Sequence, residues 1–116
     1  MTKGARVMKI EILYFDGCPT YKVAEKTLRE VLAQEGIEAE VELVAVNTDE
    51  EAQRLRFPGS PTIRVEGADL FPVPDREAGY ALGCRMYATP EGLRGSATAE
   101  MVRSSLAERN LVPRVS

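Results

Sequence analysis

Two thiols and no imidazole set the limits of the chemistry open to this chain. Cys18 and Cys84 are its only cysteines, and it has no histidine. Without an imidazole there is no histidine-based triad, no histidine metal site and no imidazole proton relay. Two sulfurs alone do not close a tetrahedral zinc site. Two cysteines in 116 residues also fall short of a disulfide framework. What remains is thiolate chemistry: nucleophilic attack on disulfides, or ligation of soft cations.

Cys18 stands in Asp16-Gly17-Cys18-Pro19, between an Ile-, Leu- and aromatic-rich run at residues 8–15 and a helical pattern from Pro19 to Gln34. Proline suits the first position of a helix, so Cys18 is expected as the N-cap. The free N–H groups and partial positive charge of a helix N-terminus favour a thiolate. Asp16 works against it, because a nearby carboxylate disfavours a second anion. Burial as an inert small hydrophobe is the commoner fate of a free cysteine. The strand-to-helix junction weighs for a functional thiol here.

The elements that must hold this thiol follow from periodicity. Met8, Ile10, Ile12 and Tyr14 alternate, as in a strand. Ala24, Leu28, Val31 and Leu32 recur at helical spacing, Lys22, Lys26, Arg29 and Glu30 take the wet side, and Gly36 ends the helix. Residues 40–46 read as a second strand. Thr48 to Glu51 is a capping box that starts a short helix to about Arg56. Thr62 to Val65 is a strand, Glu66-Gly67 a tight turn, and Ala68 to Phe71 the returning strand. Residues 72–96 read as irregular, with Cys84 to Tyr87 a candidate short strand, and Thr98 to Arg109 as a closing helix. This order predicts one α/β domain over residues 8–112, a mixed sheet with helices on both faces, and a short N-terminal extension of residues 1–7 whose residues 1–6 are loosely ordered.

Bulk composition narrows the function classes. Apolar residues make up 44%, enough for a core without a metal or disulfide staple. The net charge of −3 argues against a nucleic-acid partner, which needs a basic face. No apolar run approaches the roughly 20 residues of a membrane span. The basic start, Met1 to Val7, leads into no apolar leader segment, so a cytoplasmic protein without a membrane partner is expected.

A second signal is Gly59-Ser60-Pro61-Thr62, with proline at the first residue of a strand. Its peptide bond is open to two readings, cis in a tight turn or an ordinary trans turn. Taken with Cys18-Pro19 and the element order, it resembles the thioredoxin-like superfamily from Met8 to Arg109, with an insertion before the last helix. The narrower pattern of Gly17-Cys18-Pro19, Gly59-Ser60-Pro61-Thr62 and Cys84-Arg85 is similar to small bacterial thioredoxin-like proteins loosely associated with alkylmercury lyase. The resemblance implies a four-stranded mixed sheet, Cys18 as the nucleophile, and Pro61 as the cis-proline that packs on the site and pairs with substrate backbone. Ser60 then belongs to the substrate-binding edge. The departure is at position 21, where Cys18-Pro19-Thr20-Tyr21 has tyrosine in place of a resolving cysteine.

A monothiol site needs an external thiol to resolve mixed disulfides. The alternative partner is Cys84, since the insertion launches from the sheet edge on the Cys18 side and long insertions are often functional. Arg85 is a candidate to stabilise a thiolate or to bind Asp16 or an anionic substrate; a solvated surface arginine is the plain alternative. Tyr21 and Tyr87 are candidates to line the crevice or simply to pack. Three functions fit: a cofactor-free thiol–disulfide oxidoreductase acting on a protein or small-molecule thiol or disulfide; a soft-metal dithiolate, with Asp16 a proton donor in a lyase version; and a non-catalytic module binding peptide along the Pro61 edge.

Overall fold

The computed structural model describes residues 8–73, 80 and 82–109. The N-terminal extension and the far end of the expected domain, residues 110–112, lie outside the described residues. The described residues form a small α/β fold with a four-stranded mixed sheet and three helices. No helix among the described residues is long and apolar enough to cross a membrane.

The first strand, β1 (Met8–Tyr14), is central. It pairs in parallel with β2 (Ala39–Ala45), from Met8 opposite Ala39 to Tyr14 opposite Ala45. On its other side it pairs antiparallel with β3 (Thr62–Val65). A turn at Glu66-Gly67, both at positive φ (51° and 86°), returns the chain into the short edge strand β4 (Ala68–Asp69). The sheet order is therefore β2-β1-β3-β4. The last strand is shorter than expected, because only Arg64 and Val65 find partners in it before Leu70 leaves the ladder with one bond to Ile63.

Helix α1 (Thr20–Glu35) buries the four residues that periodicity assigned to its inner face, Ala24, Leu28, Val31 and Leu32. Gly36 caps it in the left-handed conformation, φ 67°. Helix α3 (Ala99–Glu108) starts at Thr98, whose hydroxyl accepts the Met101 N–H at 3.1 Å. Both helices cover the sheet face on which Ile10 pairs with Val65 and Ile12 with Ile63. Helix α2 (Asp49–Arg54) serves the opposite face, where Leu13, Val46, Ala52 and Phe57 form a second cluster. β1 is buried on both sides at its end for this reason, where Ile12 and Leu13 follow each other, while its start alternates with Lys9 and Glu11. The capping box forms as expected at Thr48, with the Glu51 carboxylate reaching one residue further back, to the Asn47 N–H at 3.1 Å.

The insertion is more ordered than its composition suggests. It carries an antiparallel hairpin of β5 (Tyr87–Thr89) and β6 (Gly92–Arg94). The short strand expected at Cys84 to Tyr87 meets the hairpin only at Tyr87; Cys84 makes an isolated bridge, and Arg85 and Met86 lie outside any strand. Its turn is closed by Thr89, whose hydroxyl donates to the Gly92 carbonyl and accepts the Glu91 N–H, a local side-chain device rather than an apolar pattern.

Candidate functional site

The pairing of Leu13 with Thr62 brings the end of β1 and the start of β3 to one corner of the sheet. Cys18 follows β1 at this corner, its N–H closing a turn onto the Phe15 carbonyl at 3.1 Å. It is not the N-cap. The helix begins at Thr20, and Pro19, already helical at φ −74° and ψ −17°, occupies the cap without a side-chain bond. Pro19 offers its carbonyl to the first turn, at 3.4 Å from the Lys22 nitrogen, so the cap moves one residue on and Cys18 precedes it.

This shift gives the sulfur a partner that sequence reasoning missed. Thr20, in the first turn, sets its hydroxyl oxygen 3.0 Å from Cys18 Sγ. The readable signal was a hydroxyl two residues after the cysteine, a spacing at which Ser and Thr fold back on their own turn. On the other side the Cys18 thiol donates to the Ser60 carbonyl at 3.5 Å. The Ser60 hydroxyl is fully buried, completes no hydrogen bond, and lies beside the same sulfur. Burial alone raises the Cys18 pKa, but the polar groups around the sulfur, the Ser60 and Thr20 side chains, the Thr20 main chain and the Cys84 thiol, bring it below its ordinary value. Cys18 shows no surface to solvent.

Cys84 completes the corner. Ser60 and Cys84 form an isolated parallel bridge: the Ser60 N–H donates to the Gly83 carbonyl and the Arg85 N–H to the Ser60 carbonyl, both at 2.8 Å. The bridge needs a very close approach. A Cβ on Gly59 would lie 3.0 Å from Arg85 Cβ and 3.2 Å from its main chain, and Gly59 sits at φ 134°, where side chains are rarely tolerated. The bridged segment alternates, with Cys84 and Met86 exposed and Arg85 and Tyr87 buried. Both thiols are free, and the Cys84 pKa is raised, first by its hydrogen bond to Cys18, then by burial and by the charge on Cys18. The Ser60–Pro61 bond between the two arms is cis. From the far side Gly95 closes on Thr20, where an added Cβ would lie 2.7 Å from the threonine methyl.

The remaining candidates fall elsewhere. Arg85 is neither a surface arginine nor a partner of Asp16. Its guanidinium turns inward to the Thr62 hydroxyl (3.3 Å), the Asp69 carboxylate (3.2 Å) and the Phe71 carbonyl, and lies 4.7 Å above the Tyr87 ring. The physical reason is the alternation of residues 84–87, which points odd positions into the core once Cys84 faces out. Tyr87 is buried and donates to the Pro61 carbonyl. Tyr21 stacks on Tyr14 with ring centroids 4.1 Å apart, a packing role. Asp16 is exposed, its N–H bonded to Asn47 at 3.4 Å. The buried setting that a proton-donating carboxylic acid requires is not met there.

Among the described residues no group of three or more cysteines or carboxylates is arranged to hold a metal ion. Two surface clefts, of about 240 and 590 Å³, are lined by residues such as Arg64 and Asp69, and Phe71 and Met101, and neither touches a cysteine. Comparison with known proteins returned no match to a family model, a curated protein or a solved structure.

Proposed function

We propose that the chain is a thioredoxin-like thiol–disulfide exchange protein that works through the Cys18–Cys84 pair. One observation carries the reading: Ser60 joins the two cysteines, its carbonyl accepting from the Cys18 thiol at 3.5 Å while its main chain bridges to Cys84. The lowered pKa of Cys18 and the raised pKa of Cys84 agree with it. The element order and the sheet order β2-β1-β3-β4 support the thioredoxin-like part of the reading. On this reading Cys84 takes the resolving role that tyrosine leaves open at position 21.

The chemistry follows from the surroundings of the sulfur. A thiolate at Cys18 is met by two hydroxyls, a main-chain N–H and a neighbouring thiol as donors, which outweigh burial and the nearby Ser60 carbonyl. A disulfide between Cys18 and Cys84 stores two electrons, and a thiol or disulfide compound exchanges them. A peptide module along the Pro61 edge is the weaker reading, because Ser60 spends both main-chain groups on Gly83 and Arg85. A linear dithiolate for a soft cation is favoured by the same pair of sulfurs and by nothing more.

Intact mass with native-state alkylation tests the proposal. Protein from mildly oxidising buffer should be two hydrogen atoms lighter, inert to alkylating agent and restored by reductant. Two free thiols after oxidation would sink it. Mercury(II) that blocks both thiols at one equivalent, in protein that forms no disulfide, would point to the cation instead.

A further inference from the structure

We propose that a low-molecular-weight disulfide exchanges at Cys84, and that Cys18 reacts only with the sulfur of Cys84. The inference rests on the exchange reading above and assigns which sulfur meets the outside. Displacement at sulfur passes through a mixed disulfide, and its rate depends on access to the attacked atom as well as on thiolate character. Cys18 has no exposed surface, whereas Cys84 is exposed. The main chain of Ser60 flanks Cys18, and the protein's own Gly83–Arg85 segment already occupies it on both the donor and the acceptor side. An extended peptide has no pairing edge left beside Cys18, so a small disulfide that needs none is the fitting substrate class. Gly95 against Thr20 closes the remaining side.

The buried hydroxyl of Ser60 fits this division. It is buried without a partner and lies beside the Cys18 sulfur, where it favours a thiolate. The resting pair therefore has the negative charge on Cys18 and the proton on Cys84. In the first step that proton passes from Cys84 to Cys18, and the Cys84 thiolate attacks one sulfur of R–S–S–R. A Cys84–S–S–R bond forms, the S–S bond of R–S–S–R breaks, and RS⁻ departs. The proton on Cys18 goes to this RS⁻, directly or through solvent, giving RSH. In the second step the Cys18 thiolate attacks the Cys84 sulfur, the Cys18–Cys84 bond forms and a second RS⁻ leaves. The protein dithiol loses two electrons and R–S–S–R gains them. Run backwards, an external thiolate attacks exposed Cys84, and Cys18, the better-stabilised anion, is the leaving group.

The experiment uses the full chain with oxidised glutathione as the probe. The reaction is quenched with alkylating agent at successive times, and the mixed disulfide is located by peptide mass. The glutathionyl group should appear on Cys84 in the wild type, and should accumulate on Cys84 in Cys18→Ser. Cys84→Ser, whose only thiol is covered, should take it up at least about tenfold more slowly than Cys18→Ser. A mixed disulfide on Cys18, or equal rates for the two variants, overturns the assignment. Because wild-type protein carries the localisation, misfolding of a variant does not hide the answer. Wild type that forms no Cys18–Cys84 disulfide at all would instead sink the exchange reading on which the assignment rests.

Discussion

Ser60 and Arg85 meet through one hydrogen bond, Arg85 N–H to Ser60 C=O at 2.8 Å, and their side chains are buried to a similar degree. Arg85 is satisfied by a hydroxyl, a carboxylate, a carbonyl and an aromatic face. The Ser60 hydroxyl completes no bond. An unpaired buried polar group costs about 1–3 kcal/mol, and each one in a native structure needs a reason. The difference between these neighbours supplies it. The arginine cluster is finished and holds down the Gly83–Arg85 segment, a strap laid against Ser60. The serine corner keeps a buried hydroxyl without a partner beside the Cys18 sulfur, and that unfinished state marks it as the reactive part.

The comparison breaks most easily at Arg85. Arg85→Met leaves Asp69, with its side chain only 16% exposed, without its cation. Removing one partner of a buried pair costs about 3–5 kcal/mol, so urea unfolding should show a loss of that size. A loss under about 1 kcal/mol would mean the cluster holds nothing down. Adding Asp69→Asn should recover part of the loss, because the stranded charge is then gone.

Gly59→Ala attacks the joint between the two regions. The new Cβ meets Arg85 at 3.0 to 3.2 Å in a backbone conformation that disfavours it. A cost of about 1–3 kcal/mol is expected in urea unfolding. The rate at which Cys18 and Cys84 close a disulfide, read by mass after a pulse of oxidant, should fall with it, since the strap can no longer seat against Ser60. An unchanged closing rate would detach the bridge from the chemistry.

The two regions also differ in how far the sequence disclosed them. Cys18, Ser60 and Pro61 stood out because proline beside cysteine and proline at a strand start are local signals. The α1 face follows from periodicity alone, whereas the placing of β3 beside the end of β1 was expected only from the resemblance, and the Leu13–Thr62 register from neither. The arginine cluster did not stand out. Its partners, Thr62, Asp69 and Phe71, come from β3, β4 and the chain beyond, and no spacing rule joins them to position 85. Which face of residues 84–87 turns inward depends on the bridge to Ser60, a tertiary contact with no pattern of its own. Thr20 was missed for a smaller reason, a helix start displaced by one residue.

A smaller effect with the opposite sign is expected at Ser60. Ser60→Ala removes an unpaired buried hydroxyl, so the reduced protein near neutral pH should be unchanged or up to about 1 kcal/mol more stable. The same change removes a donor to the thiolate, so the Cys18 pKa should rise, read from thiolate ultraviolet absorbance. Thr20→Val should raise it as well, through loss of the hydroxyl at 3.0 Å. A destabilised Ser60→Ala with an unmoved thiol would erase the contrast with Arg85.

The shape of stability against pH separates the regions by the smallest signal. Cys18 has its pKa lowered in the folded state, so its contribution grows as pH rises through that lowered value and is full above the ordinary thiol value of 9.0. Cys84 has its pKa raised, so its contribution is full below 9.0 and is lost as pH climbs towards the raised value. Together the pair stabilises the fold most near 9.0, where one proton is shared between two sulfurs. Tyr87, in the arginine cluster, behaves otherwise. Burial raises its pKa, Arg85 lowers it and Asp69 raises it, with a net upward shift, so the cluster's stability holds until pH passes 10.0 and then declines. The unfolding free energy of reduced wild type minus that of Cys18→Ser should therefore trace a hump around 9.0, while wild type minus Tyr87→Phe should stay level through that range and fall beyond it. A thiol difference that only climbs would mean that Cys84 does not share the proton, and the strap would then lie over Cys18 as a cover and not as its partner.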